Sequence, residues 1–230
     1  MSDMPGTDAY PRERDDPYCL SDAEAYALLR EAPWRRFVVL GDGLAEGLGE
    51  KTPGYRPVPW PERIRYALSR RVPTVAYLNL GRHNLVTSEV RASQVDRALA
   101  FHPDLAAVIC GGNDLLTERF DPRRVEADLE AVVTTLLGTG ADVILFTLMD
   151  ICAGVPELSA LRPHMNALNE SVRDVSLRHD TLLVDLWGHP ICSAGDVYSS
   201  DLTHPSTRGH AVLASQALRR LGERLATAAR

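Results

Sequence analysis

The sequence predicts an α/β protein, a three-layer α/β/α sandwich built on a five-stranded parallel sheet. Three observations predict it. Five short apolar runs alternate with amphipathic helical stretches along the chain. The runs lack the apolar/polar alternation of a half-solvated strand, so both of their faces are expected to be buried, as in a parallel sheet covered by helices. A chain of 230 residues, 45% hydrophobic and 24% charged, also has the length for one such domain with a substantial core.

The elements follow in order. Residues 1–18, rich in Pro, Asp and Arg, are expected to form a disordered or extended arm, and residues 19–230 a single domain. Ser21 and Glu24 have capping-box spacing and open a short helix to about Glu31. Phe37–Leu40 is the first strand. Pro59 and Pro61 mark the first turn of a helix to about Arg70. Thr74–Leu78 is the second strand, followed by a helix over Ser88–Ala100; Leu105–Ile109 is the third, followed by a helix over Pro122–Leu137. Asp142–Phe146 is the fourth, with a helix over Ser159–Arg178, and Leu182–Asp185 is the fifth. The last helix runs from Ser206 to Ala226. Strand–helix–strand units of this kind close with right-handed crossovers.

Composition narrows the function. A net charge of −6 disfavours a nucleic-acid partner, since phosphate binding needs a basic face. No apolar run has the roughly 18–20 residues that cross a bilayer, and Met1–Asp16 lacks the apolar stretch of a secretory signal, so no membrane partner and a cytoplasmic location are expected. Cys19, Cys110, Cys152 and Cys192 form no CxxC pair, and the seven histidines form no HxH or HxxxH pair beside carboxylates. No metal and no cofactor are therefore expected. The partner is a small-molecule substrate, and the oligomeric state is not legible. Lys51 is the single lysine among 25 basic residues, a bias of genome composition.

In parallel sheets ligands bind beyond the carboxyl ends of the strands. That rule selects the loops 41–49, 81–87, 111–117, 148–158 and 186–205, the last two long enough to wall a pocket. Leu148, Met149, Ile151 and Val155 either line that wall or pack inward. The first loop, Gly41-Asp-Gly-Leu-Ala-Glu-Gly-Leu-Gly49, has neither GxGxxG spacing nor the Lys-Ser/Thr pair of a phosphate loop. Taken alone it reads as a sharp strand-to-helix turn. Gly111-Gly-Asn-Asp114 ends the third strand, where Asn113 and Asp114 either cap the next segment or the Asn113 amide donates to a developing oxyanion. Asp201-Leu-Thr-His-Pro205 precedes the last helix. A carboxylate three residues before an imidazole either caps the turn or orients a general base.

Together, Gly41-Asp-Gly-Leu44, Asn79-Leu-Gly-Arg-His-Asn84, Gly111-Gly-Asn-Asp114 and Asp201-x-x-His204 resemble the SGNH/GDSL hydrolases, esterases and lipases with a flavodoxin-like sheet. The resemblance spans about Phe37 to His210 and implies four site positions. The nucleophilic serine falls on Gly43, the glycine after the second strand on Asn84, the oxyanion amide on Asn113 and the base on His204, with Asp201 orienting it. Gly43 has no side chain to attack with. Asn tolerates a left-handed backbone better than most residues, so the N–H of Asn84 is expected to serve as the glycine's would.

The resemblance thus implies an oxyanion hole of Gly43, Asn84 and Asn113 beside an Asp201–His204 base, without a serine. Asp42, Arg82, His83 and Asp114, in the same loops, are candidates for selecting substrate. Three functions remain open on sequence: an enzyme whose base acts on water or on substrate, a ligand-binding protein that has lost turnover, and an esterase whose serine was replaced. Cys152, Cys192, Ser199 and Ser200 are alternative nucleophiles in the rim loops, whereas Cys110 reads as a small core residue.

Overall fold

A computed structural model describes residues 6–228. In chain order the helices are α1 (Pro11–Asp15), α2 (Asp22–Leu28), α3 (Gly43–Glu46), α4 (Trp60–Arg71), α5 (Thr87–Ala100), α6 (Pro122–Leu137), α7 (Arg162–His179) and α8 (Thr207–Ala228). The strands are β1 (Arg36–Gly41), β2 (Ala76–Asn79), β3 (Leu105–Ile109), β4 (Asp142–Phe146) and β5 (Leu182–Val184). Backbone proximity groups the chain into two compact units, each assembled from separate stretches.

One unit comprises Arg36–Glu46 and Ala76–Gly195 and contains every strand. The sheet is parallel throughout, in the order β2-β1-β3-β4-β5. Its register sets Val38 opposite Leu78 and Ala106, and Ala107 opposite Ile144. This is the five-stranded, flavodoxin-like α/β sheet expected. From β1 the chain steps outward to β2 and then returns past β1 to β3, so the order reverses at β1/β3, the position where such sheets bind ligands. Val38, Leu40, Val108 and Leu145 pack with Val90 of α5, Leu129 and Val133 of α6 and Val172 of α7 in one apolar cluster. The alternate residues Phe37, Val39, Leu105 and Ile144 are buried as well. Burial on both faces explains why the strands read as unbroken apolar runs. Each such Val or Leu contributes about 1.5–3 kcal/mol on burial.

The second unit comprises Met1–Arg35, Gly47–Val75 and Asp196–Arg230, with α2, α4 and α8 packed on one another. The capping box of α2 is present in full: Glu24 N–H donates to Ser21 Oγ at 3.2 Å, and Ser21 N–H to Glu24 Oε2 at 2.8 Å.

The arm differs from expectation. Residues 1–5 lie outside the described residues, but from Thr7 the chain is ordered, with a 3-10 turn over Thr7–Ala9 and then α1. The cause is charge pairing over long sequence separations. Glu13 is 1% exposed, its carboxylate held by Arg56 Nε at 2.7 Å and by Arg63 Nη1 and Nη2 at 2.6 and 3.0 Å. Asp16 accepts from Tyr55 Oη at 2.6 Å and Arg208 Nε at 2.9 Å. Burial raises the pKa of Glu13, but the two guanidiniums outweigh it and hold the carboxyl below its ordinary range.

Smaller differences have local causes. β2 starts at Ala76 and not Thr74, because Val75 N–H closes a turn onto Val72 O at 2.9 Å. Pro156–Leu161 winds as a 3-10 helix, so α7 begins at Arg162 instead of Ser159. The glycine-rich turn after β1 contains the short helix α3.

Candidate active site

The loops after β1, β2 and β3, all in the strand-bearing unit, interlock by hydrogen bonds. Gly41 ends β1 at φ 141°, and a Cβ there would fall 1.8 Å from Ile109 O, so only glycine fits. Buried Gln94 of α5 clamps its backbone, donating to Gly41 O and accepting from Gly41 N–H, each at 2.8 Å. Gly43 then opens α3. It is not among the residues with positive φ, so the backbone does not demand a glycine there. Neither Gly43 N–H nor Asn84 N–H donates to a protein acceptor among the described residues. For Gly43 this follows from its place at the start of a helix, where N–H groups have no intrahelical partner.

Asn84 adopts φ 62°, a left-handed conformation that Asn tolerates better than most residues. Its loop is held to α3: Asn79 Nδ2 donates to Ala45 O at 2.9 Å, and Arg82 N–H to Gly41 O at 3.2 Å. Asn113 is half-buried and donates one Nδ2 hydrogen to Leu85 O at 3.0 Å. An amide carries two such hydrogens, so the bond fixes the side chain and leaves one donor unspent. The structure therefore joins the loops that carry Gly43, Asn84 and Asn113 within one unit.

The four candidate selectors fare differently. Asp42 is 2% exposed, and its Oδ1 accepts from Leu44 N–H at 3.0 Å, so it stabilises the start of α3 and is not presented to solvent. Asp114 Oδ2 accepts from Thr87 N–H and Oγ1 at 2.9 and 3.0 Å, which caps α5. Burial raises its pKa, and the Thr87 bonds only partly offset this. Both aspartates thus have structural engagements, and the capping considered for Asp114 falls on α5 and not on the segment that follows it. His83 is exposed and bonded through Nδ1 to Glu46 Oε2 at 3.0 Å. Arg82 is exposed, and its guanidinium has no ion-pair partner among the described residues.

The candidate base, His204, belongs to the other unit. The loop from Tyr198 to Pro205 is closed by an antiparallel bridge between those two residues, and Ser199 N–H donates to His204 O at 2.8 Å. Leu202, at φ 56°, makes the tight turn. Asp201 Oδ1 accepts the backbone N–H groups of Thr203 and His204 at 2.9 and 3.0 Å, while Oδ2 lies 2.7 Å from His204 Nδ1. Asp201 thus caps the turn through one oxygen and holds the imidazole through the other. Burial raises the Asp201 pKa, but the His204 side chain and the two backbone donors outweigh it and bring the carboxyl down to about 2. The pairing at Nδ1 leaves Nε2 as the atom with a lone pair to accept a proton.

The alternative nucleophiles are otherwise engaged. Ser199 Oγ donates to Pro205 O at 3.2 Å, and Ser200 Oγ donates to a carboxylate oxygen of Glu50. The thiols of Cys152 and Cys192 donate to Leu158 O and Leu186 O at 3.2 and 3.1 Å. Burial raises the pKa of Cys152 and Cys110, which keeps both protonated and poor as nucleophiles. Ile151 packs inward, while Leu148, Met149 and Val155 are half-buried. Among the described residues, no three His, Cys, Asp or Glu side chains are placed to hold a metal ion, and no helix is long and apolar enough to cross a membrane.

Sequence reasoning passed over two residues. His210 of α8 is buried, with Nδ1 accepting from Trp60 N–H at 3.4 Å and Nε2 3.1 Å from Leu48 O. Burial lowers its pKa to about 3, so it stays neutral. Glu50 bonds to the Tyr198–Pro205 loop. No motif marks either one.

Residues 39–212 match the model of the GDSL-like lipase/acylhydrolase family. No curated protein sequence matches the chain. Among solved structures, the chain is similar to LAE5, described as an alpha/beta hydrolase enzyme from the metagenome of Lake Arreo, Spain, with TM-score 0.68 and 23% identity over 82% of this chain and 95% of that one. It is similar as well to Axe2, an acetylxylan esterase from Geobacillus stearothermophilus, with TM-score 0.67 and 20% identity over 82% of this chain and 94% of that one. At such identities these likenesses establish the fold. The solved forms of Axe2 include catalytic mutants in which a serine, an aspartate, or a histidine three positions after that aspartate is replaced by alanine.

Proposed function

The chain belongs to the GDSL-like lipase/acylhydrolase family, and from that premise we propose that it acts on an ester or related acyl compound without a serine nucleophile, with His204 as general base. The observation that carries this reading is the 2.7 Å bond from His204 Nδ1 to Asp201 Oδ2, an oriented imidazole in a chain whose serine position is Gly43. The equal spacing of the aspartate and histidine replaced in the Axe2 catalytic mutants supports it.

In the hydrolytic form, His204 Nε2 takes a proton from water as the water oxygen bonds to the acyl carbon. The carbonyl oxygen becomes an oxyanion that accepts hydrogen bonds from Gly43 N–H, Asn84 N–H and the second Nδ2 hydrogen of Asn113. Collapse breaks the bond to the leaving alkoxide, which takes the proton back from His204. Exchanging hydroxymethyl for hydrogen at position 43 makes room for roughly one water molecule. The same base could instead take a proton from substrate, for elimination, cyclisation or isomerisation. Arg82 and His83, exposed on the β2 loop, are the side chains proposed to meet the substrate.

Loss of a serine nucleophile costs about 10⁶ in turnover in a serine-protease triad, with roughly 10³–10⁴ over water remaining from the oxyanion hole and binding. Two variants test the reading against p-nitrophenyl acetate. Gly43→Ser is expected to raise turnover by about 10² or more, since base and donors are already supplied. His204→Ala is expected to abolish wild-type turnover. A folded Gly43→Ser protein no faster than wild type would overturn the assignment of these roles. Wild-type turnover indifferent to His204→Ala would remove His204 as the base, and no turnover on any ester while ligand still binds would identify a binding protein.

A further inference from the structure

We propose that Glu50 is a positioning residue for the imidazole of His204. The inference rests on the reading of His204 as base. Glu50 is exposed and carries no family motif, yet it bonds to the Tyr198–Pro205 loop on both sides of the Asp201–His204 pair. Its carboxylate accepts from Ser200 N–H at 3.0 Å and from Ser200 Oγ, directly before Asp201. Its backbone N–H donates to Ser199 Oγ at 2.8 Å, and its carbonyl accepts from Thr207 N–H at 2.8 Å, beyond His204. Ser199 relays the grip, because its Oγ also donates to Pro205 O at 3.2 Å.

The segment that carries Glu50 is fitted closely to this loop. A Cβ at neighbouring Gly49 would fall 1.9 Å from Pro205 O and 3.0 Å from His210 Nε2, so the backbone approaches as nearly as glycine allows. The tie has a physical purpose. The loop turns through left-handed Leu202, and the dyad is partly exposed, with side-chain exposures of 21% for His204 and 49% for Asp201. Exposed ion pairs hold geometry weakly, because side-chain entropy and solvent compete with them. A base must be kept within a few tenths of an ångström of its productive position, and surrounding hydrogen bonds supply that constraint. The backbone bonds of Glu50 fix where the loop enters α8, and its carboxylate fixes the residue preceding Asp201.

The test separates positioning from simple folding. In the full-length protein, the exchange of the His204 Nδ1 proton with solvent is followed by ¹⁵N NMR in wild type, Glu50→Ala and Glu50→Gln. Glu50→Ala is expected to speed exchange by about tenfold, the equivalent of roughly 1.4 kcal/mol of lost local order. Glu50→Gln keeps an acceptor for Ser200 N–H and a donor for Ser200 Oγ, so it should return exchange to near the wild-type rate. Ser200→Ala removes a single bond, leaves Glu50 intact and should give an intermediate rate. On p-nitrophenyl acetate, Glu50→Ala should lower kcat with KM unchanged, and Glu50→Gln should restore it. Unchanged exchange in Glu50→Ala, or no rescue by Glu50→Gln, overturns the proposal. The exchange measurement needs no turnover, so it decides even if the proposed hydrolysis fails.

Discussion

Asn84 holds φ 62° in a loop where its backbone N–H is the part proposed to act. A residue with a Cβ pays about 1–2 kcal/mol in that conformation, Asn somewhat less, and glycine almost nothing. Asn84→Gly is therefore expected to leave stability and turnover close to wild type, whereas Asn84→Val should lose about 1–2 kcal/mol in urea unfolding and reduce turnover by displacing the N–H. Indifference of turnover to Asn84→Val would remove this N–H from the oxyanion hole. Gly41, at the end of β1, and Gly43, at the start of α3, make the opposite contrast. Gly41→Ala sets a methyl group 1.8 Å from Ile109 O at φ 141° and should cost 3 kcal/mol or more, or prevent folding. Gly43 has no positive φ, so Gly43→Ser should melt within a few degrees of wild type. The pairing of Asp201 with His204 was legible because a turn of three residues brings them together locally. The structural bonds of Asp42 and Asp114 were less legible for the complementary reason. A short-range motif names the carboxylate, but the donor that satisfies Asp114 is Thr87, 27 residues away, and no local pattern announces it.

Among the elements, the five strands and the five long helices were legible because each writes its own signature, an unbroken apolar run or a periodic face closed by proline or a capping residue. α1 wrote none. Its five residues, Pro-Arg-Glu-Arg-Asp, are indistinguishable by composition from a disordered arm, and the order comes from Arg56 and Arg63 over forty residues on. A buried carboxylate deprived of its partners is among the costlier changes a fold can suffer. Glu13→Ala leaves the Arg63 guanidinium without an ion-pair partner among the described residues and Arg56 with Asp22 alone, each guanidinium about 5% exposed, and should cost about 3–5 kcal/mol by urea denaturation. Proteolysis at Arg12 and Arg14 should accelerate in parallel, as α1 comes free. If Glu13→Ala unfolds at the wild-type urea concentration, the charge cluster contributes no net anchoring, and the order of residues 7–16 needs another cause.

At the scale of the whole molecule, the sequence supplied the fold class and family but not the response to acid, because that response depends on which ionisable groups are buried against which partners. Glu13, Asp16, Asp185, Asp196 and Asp201 all have depressed pKa values, each through guanidinium, hydroxyl, imidazole or backbone donors that outweigh the cost of burial. A depressed carboxyl stabilises the fold above its unfolded pKa of roughly 4, and that stability disappears as pH falls through the folded value. His210 acts at higher pH. Unfolded, it takes up a proton below about 6.5; folded, burial keeps it neutral down to about 3. The unfolded state then binds the extra proton, so stability declines as pH drops from 6.5 towards 3 with a limiting slope of about 1.4 kcal/mol per pH unit from this one residue. Stability should therefore begin to fall well before the carboxylates titrate. Urea unfolding at pH 6.0, 5.5 and 5.0 isolates the imidazole contribution. His210→Gln, whose amide can donate to Leu48 O and accept from Trp60 N–H, should flatten the decline between pH 6 and 5 by about one proton while costing roughly 1–3 kcal/mol at pH 7. Equal slopes in wild type and variant would mean that His210 protonates in the folded protein, and the early loss of stability would then have to come from elsewhere.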